Sequence, residues 1–229
     1  MKNFFNSFTQ LLFPNLCVCC KGYLSNQEYF ICDICNYNLP LYEFNALKDN
    51  DLRKKFWGIL PVQECLAHLS FKQNNEVQKI MHEFKYNGNK KIGFAMGLTL
   101  GRLILSFDKL DDIDFIIPIP LYKKREDQRG FNQAEVIANG VSNIIKAPVL
   151  NNVVGRVINN KSQTNRNRLD RSINTEDIFK VMNLKPLEGK HILLLDDVIT
   201  TGATMISCGN SLLRVKDLKL SVAGLAVAN

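Results

Sequence analysis

The chain has no apolar run long enough to cross a bilayer. Its best stretch, Ile92 to Phe107, is interrupted by Thr99, Gly101 and Arg102, which excludes a transmembrane protein. It has no Gly-Lys-Ser/Thr and no G-x-G-x-x-G, so neither a nucleotide P-loop nor a dinucleotide fingerprint is present. Histidine is scarce: His68, His82 and His191 are the 3 in the chain, and they have no spacing relation to one another or to the cysteines. They read as structural or surface groups before ligands or bases, and no residue stands out as a general base. Repeats and biased tracts are absent. A secretory core is missing too, because Asn3, Asn6, Ser7, Thr9 and Gln10 break up the opening MKNFFNSFTQLLFP. The expected compartment is therefore the reducing cytoplasm, where cysteines serve as thiols or metal ligands and not as a disulfide framework.

What is present suits a globular chain with a real core. Of 229 residues 46% are hydrophobic and 22% charged, with a net charge of +7. Phe4, Phe5, Phe8, Leu11 and Leu12 fall at helical spacing and predict a short amphipathic helix packed on the body of the protein. Five of the 7 cysteines lie between Cys17 and Cys35, as Cys17-x-x-Cys20 and Cys32-x-x-Cys35. Two such turns let four thiolates converge on one cation, with turn amides donating to sulfur, so Cys17, Cys20, Cys32 and Cys35 read as a structural Zn²⁺ site. Cys19 is the alternative to Cys20. Cys65 and Cys208 are isolated and read as core residues. The predicted division is a helix and four-cysteine zinc module over 1–50, ending in a linker from Leu39 to Asp51, and a main domain over 51–229.

In the main domain, Val77, Ile80, Met81 and Phe84 recur at three- and four-residue steps and predict a helix from Glu76 to Tyr86; Ile92 to Phe107 predicts a second. Asp114 to Ile119, His191 to Leu195 and Leu218 to Val227 are strand-length apolar runs alternating with helical sequence, which indicates an α/β fold with a mostly parallel sheet flanked by helices. The sharpest motif is H-I-L-L-L-D-D-V-I-T-T-G-A-T, His191 to Thr204: a buried strand, two acids, then a Thr/Gly turn that opens a helix. Free amides at a helix N-terminus with Thr200, Thr201 and Thr204 beside Gly202 suit a phosphate, and acids at the carboxyl end of a parallel strand suit sugar hydroxyls. A ribose phosphate satisfies both.

LLLDDVITTGAT resembles the 5-phosphoribosyl 1-diphosphate (PRPP) motif of type I phosphoribosyltransferases. The resemblance implies that Asp196 and Asp197 hold the ribose, and that Val198, Ile199, Thr200, Thr201, Gly202, Ala203 and Thr204 form the phosphate loop. A second resemblance narrows the family. Ile116 to Leu121 (I-I-P-I-P-L), Arg129 to Ala134 (R-G-F-N-Q-A), Lys85, Tyr86 and Gly88 in F-K-Y-N-G, Ser162 to Thr164 with Arg168 and Arg171 beyond, and the cysteine module are together similar to the ComF family of phosphoribosyltransferase-like competence proteins. That resemblance implies a pyrophosphate loop at Pro118, Ile119, Pro120 and Leu121. It also implies a hood over Arg156 to Arg171 with Lys161, Arg166 and Arg168 as anion contacts, Lys85 and Arg129 as further contacts, and Mg²⁺ accompanying PRPP. Whether a peptide bond before Pro118 or Pro120 is cis is open at this stage. For Lys85 a second role is equally open, as a cation favoured at the C-terminal end of its helix.

Arg156 to Arg171 and Leu121 to Phe131 together hold most of the net positive charge, at the predicted ligand edge. Such a patch serves PRPP, or tracks single-stranded DNA with Tyr122 and Phe131 available for stacking. The resemblance favours DNA and competence-machinery proteins as partners. Glu135, in the helix after R-G-F-N-Q, is expected to face solvent.

Overall fold

The computed structural model describes residues 14–25, 27–42, 51–73, 75–156, 178–182 and 185–228. The amphipathic segment from Phe4 to Leu12 lies outside them, as does most of the predicted hood, with Lys161, Arg166, Arg168 and Arg171.

Two short helices, α1 (Asp33–Tyr37) and α2 (Asp51–Lys54), precede strand β1 (Cys65–Phe71). Then come α3 (Glu76–Tyr86), α4 (Lys90–Leu105), β2 (Phe115–Pro118), α5 (Lys123–Arg129) and α6 (Gln133–Ile145). A two-stranded antiparallel ladder of β3 (Val154–Arg156) and β4 (Phe179–Val181) follows, and β5 (His191–Ile199), α7 (Ala203–Leu212) and β6 (Lys219–Ala228) end the chain.

The sheet runs β1-β6-β5-β2 and every pairing is parallel. Its central strands are almost wholly apolar, as strands covered on both faces must be. Along β5 the side chains alternate: Leu193 and Leu195 join the core built with α3, α4 and α6, while Ile192 and Leu194 join the core built with α7 and the segment around Phe56 and Leu60. Helices α4 and α6 cross at glycines. A Cβ at Gly97 would collide with the Ile137 carbonyl, and one at Gly140 with the Phe94 carbonyl.

Three expectations change. Cys65–Phe71 is a strand that sequence reading passed over, because ECLAHLSF places a histidine and a serine inside its apolar run. The stretch predicted as a linker begins as structure: Leu39 is buried, and Leu41 bridges Leu69 in antiparallel sense, with Ser70 N–H donating to Pro40 O and Tyr42 N–H to His68 O. These contacts cover the outer edge of β1. Finally, β5 does not stop at Leu195 but carries Asp196, Asp197, Val198 and Ile199 within the strand, with Val198 and Ile199 opposite Ala226 and Val227. The turn read as a phosphate loop therefore starts two residues later than the motif suggested.

Candidate functional site

The C-terminal ends of β5 and β2 open on a cavity of about 350 Å³. Asp196, Asp197 and Val198 come from β5, and Thr200 and Thr204 from the turn into α7. Ile119, Pro120 and Leu121 follow β2, and Lys85, Arg125, Arg129 and Arg156 bring positive charge from α3, α5 and β3. Ordinary backbone chemistry fixes the walls. Ile119 N–H donates to Leu195 O at 2.9 Å and Asn132 Nδ2 donates to Ile119 O at 3.0 Å, so the loop after β2 is tied to both β5 and α6. No peptide bond among the described residues is cis, Pro118 and Pro120 included.

Gly202 is the N-cap of α7 at φ +81°, a left-handed conformation that favours glycine, and its α-carbon faces the Phe56 ring. Ala203 N–H donates to Thr201 Oγ1 at 3.3 Å, so this hydroxyl closes the turn while Thr200 and Thr204 face the cavity. Pro118 sits inside β2, opposite Leu195.

The two acids differ. Burial, then the neighbouring Asp197, pushes the Asp196 carboxyl up to about 7, against a smaller opposing pull from Lys85 and Arg156. Asp197 Oδ2 lies 2.6 Å from Lys85 Nζ, and its Oδ1 accepts from Val198 N–H at 2.6 Å. Lys85 is thus at the site, on a carboxylate. Arg129 donates to Gln133 Oε1 at 2.9 Å and lies over the Tyr86 ring. Arg156 packs over the rings of Tyr122 and Phe179, and its pKa is lowered by burial and by Arg125.

Sequence reading missed Arg125, Asn132 and Gln133. Asn132 and Gln133 stand in the R-G-F-N-Q string and Arg125 in the basic run before it, but only the fold turns them toward β5. Phe131 is corrected: it is 7% exposed, packs on Phe84 and carries Lys90 over its ring, so it is closed to stacking. Glu135 is half-buried and accepts from Asn151 Nδ2 at 2.8 Å instead of facing water alone. His191 is buried between Asp112 and Ser221, at 2.6 and 2.9 Å. Ser221 is fully enclosed, which makes this Asp-His-Ser chain a structural one.

In the segment before the sheet, the Sγ atoms of Cys17, Cys20, Cys32 and Cys35 all lie within 4.8 Å of one another, with Cys20 and Cys32 at 3.8 Å. Four thiolates bonded at about 2.3 Å to a tetrahedral ion stand about 3.8 Å apart, so the cluster fits one metal. Gly22 N–H points at Cys20 Sγ and Cys32 N–H at Cys17 Sγ, both at 3.4 Å. Cys19 points away, toward Glu76 O, and burial pushes its thiol up to about 12. Cys20, not Cys19, completes the set. Cys65 and Cys208 are buried in the core as expected.

The class is set by these features: an α/β protein with an open parallel sheet, an acidic pair and a helix-opening turn at the carboxyl edge of its strands, and a four-cysteine cluster ahead of it. The chain belongs to the competence protein F family. It is 35% identical over 245 residues to competence protein F of Haemophilus influenzae, covering all of both chains. It is 28% identical over 193 residues to competence protein ComFC of Bacillus subtilis, covering 83% of this chain and 74% of that one. It is 24% identical over 221 residues to DNA utilization protein YhgH of Escherichia coli K12, covering 89% and 93%. No protein-family model matches the chain. Among solved structures it is similar to the glutamine PRPP amidotransferase of B. subtilis (14% identity, TM-score 0.41, covering 62% of this chain and 30% of that one). It is also similar to the adenine phosphoribosyl transferase of Trypanosoma brucei (17%, TM-score 0.38, covering 77% and 68%). No described helix is long and apolar enough to cross a membrane.

Proposed function

We propose that the cavity at the ends of β5 and β2 binds PRPP with Mg²⁺ and supports phosphoribosyl transfer to an acceptor with release of pyrophosphate. The observation that carries this reading is the meeting in one cavity of an acidic pair, a glycine-capped helix opening and four basic side chains. Asp196 and Asp197 accept from the ribose 2- and 3-hydroxyls, and Thr200 to Thr204 receive the 5-phosphate at the amide-rich end of α7. The 1-diphosphate lies toward Pro118 to Leu121, where Arg125, Arg129 and Arg156 offset its charge; Lys161, Arg166 and Arg168 of the hood are assigned to the same anion. Bound Mg²⁺ would neutralise the leaving pyrophosphate. As positive charge develops on the sugar, the carboxylates lie on its side of the cavity.

The cluster of Cys17, Cys20, Cys32 and Cys35 is assigned a structural Zn²⁺, with 1–50 acting as its module and 51–229 as the sugar-phosphate domain; a reducing cytoplasm keeps its thiols available. Titration calorimetry of PRPP with Mg²⁺ tests the main reading. The wild type should bind, and the Asp196→Asn, Asp197→Asn double variant should lose at least about a hundredfold in affinity while circular dichroism stays unchanged, since two charged partners are removed at once. Absence of PRPP binding to the wild type would sink it.

A second reading is favoured by the relatives' names, which concern competence and DNA utilization. In it the protein acts beside competence-machinery proteins on single-stranded DNA, through the exposed Lys123, Lys124 and Arg125 of α5 and through the hood. Charge reversal at these positions should abolish oligonucleotide binding, whereas the double Asn variant should retain it.

A further inference from the structure

Lys85 reads in the sequence as a contact for the ligand's anion, yet its ammonium lies on a carboxylate. Nζ is 2.6 Å from Asp197 Oδ2, with the two side chains only 18% and 15% exposed. Val198 N–H occupies the other oxygen, Oδ1, at 2.6 Å. Both Asp197 oxygens therefore have fixed partners, one from its own strand and one from a helix. That helix is a rigid mount. Asn75 caps α3 by accepting from Gln78 N–H at 3.0 Å, Val77, Ile80, Met81 and Phe84 bury one face, and Lys79 Nζ donates to Cys19 O at 3.1 Å.

We propose that Lys85 is a positioning residue for the acidic pair, orienting the Asp197 carboxylate toward the sugar, and that it is not a ligand of the diphosphate. The inference rests on the sugar-phosphate reading above and divides the basic groups of the cavity by role. Lys85 serves the carboxylates. Arg125, Arg129 and Arg156, on the α5 and β3 walls, are left for the anion, with Arg129 held in place by Gln133 and Tyr86. Separating the roles solves a charge problem: two adjacent carboxylates repel a polyanionic ligand unless a cation is committed to them.

The two assignments for Lys85 predict opposite ligand dependence. Calorimetry in Mg²⁺ with three probes, PRPP, ribose 5-phosphate and inorganic pyrophosphate, on the wild type, Lys85→Met and Lys85→Arg separates them. A positioning role predicts that Lys85→Met weakens ribose 5-phosphate and PRPP about ten- to a hundredfold, as expected for breaking a largely buried ion pair. Pyrophosphate should stay within about twofold, and Lys85→Arg should recover most of the loss by restoring the cation. A loss shared by pyrophosphate, or no loss with any probe, overturns the proposal.

A ligand-free readout keeps this failure apart from failure of the PRPP reading. The groups facing the pair are Lys85 from α3, Arg156 from β3, Arg125 and Arg129 from α5, and the buried Cys208 thiol from α7. Because Lys85 draws the Asp196 carboxyl downward, its removal should move that carboxyl's proton release to higher pH in a carbon-13 NMR titration. No movement overturns the positioning role even where no ligand binds. Wild-type protein that binds none of the three probes but shows the movement overturns the PRPP reading alone.

Discussion

The cysteine module and the acidic sheet edge each gather ionisable side chains into one small volume, but they stand in opposite relation to the fold. In the module, the proposed metal would make the cluster itself the organising centre. Among the described residues between 14 and 42 the regular elements are one five-residue helix and isolated bridges, and Tyr23, Tyr29, Ile34 and Tyr37 are largely exposed. Its buried apolar residues, Phe30, Ile31 and Leu39 among them, belong to the cluster built with α3, α4 and α6, so the segment has no separate core of its own to offset its chain entropy. At the sheet edge, Asp196 and Asp197 ride on a strand whose five preceding residues are buried, and the fold would persist without them. One site builds its surroundings; the other is carried by them.

The largest expected effect separates the two directly. Chelation, or a Cys17→Ser, Cys32→Ser double change, should take bound zinc from about one per chain to none. It should also expose amides between residues 14 and 42 to rapid hydrogen exchange, because structural zinc supplies on the order of ten kcal/mol to modules of this kind. The strands β5 and β6 should keep their protection. If the sheet unfolds along with the module, the contrast drawn above is wrong and the chain is one cooperative unit. A sharper version uses neighbouring residues: Cys20→Ser should lose metal, while Cys19→Ala should keep it and cost only about 1 kcal/mol of packing.

The same contrast explains what could be read from the sequence. Cys-x-x-Cys spacing is local chemistry, so the clustering of the four cysteines was legible, and only the direction of the Cys19 side chain had to come from the fold. The LLLDDVITTGAT string was legible for the same reason, since strand, acids and turn are contiguous. What escaped was non-local. Arg125, Asn132 and Gln133 enter the cavity because β2 pairs in parallel with β5 and so brings α5 and the start of α6 to the carboxyl end of that strand, a relation that no spacing expresses. Cys65–Phe71 was missed because His68 and Ser70 disguise an edge strand whose outer side is covered by residues 40–42. Lys85 was seen, but its place on Asp197 depends on how α3 packs.

The next effect probes how far the sheet carries a strained passenger. With Asp196 raised to about 7 in the folded protein and ordinary in the unfolded chain, the unfolded state releases its proton first as pH rises from about 4. Stability from this group is therefore complete at low pH and is lost progressively up to pH 7. Asp196→Asn removes the ionisation, so its melting temperature should exceed that of the wild type at pH 8. A gain of a few kcal/mol corresponds to roughly 2–4 °C for each in a chain of this length, and it should vanish near pH 4. Equal melting at every pH would show that the acid is not penalised by its surroundings. The site would then be as cheap to build as the fold beneath it.

The smallest effect falls on the turn. Gly202 is buried at φ +81°, and a Cβ there would lie 3.2 Å from Phe56 Cε1 and 3.5 Å from Lys55 Cβ. Gly202→Ala therefore meets two costs: a left-handed conformation that disfavours any side chain, and a ring that must give by a few tenths of an ångström. Together they amount to about 1–2 kcal/mol, and the melting temperature should fall accordingly. Because Phe56 belongs to the core under α7 while Thr200 and Thr204 face the cavity, relief of the clash must shift either the core or the turn. Measuring ribose 5-phosphate affinity alongside stability tells which. Lost stability with intact affinity means that Phe56 moved; lost affinity with little change in melting means that the turn moved and that the phosphate seat is the softer of the two.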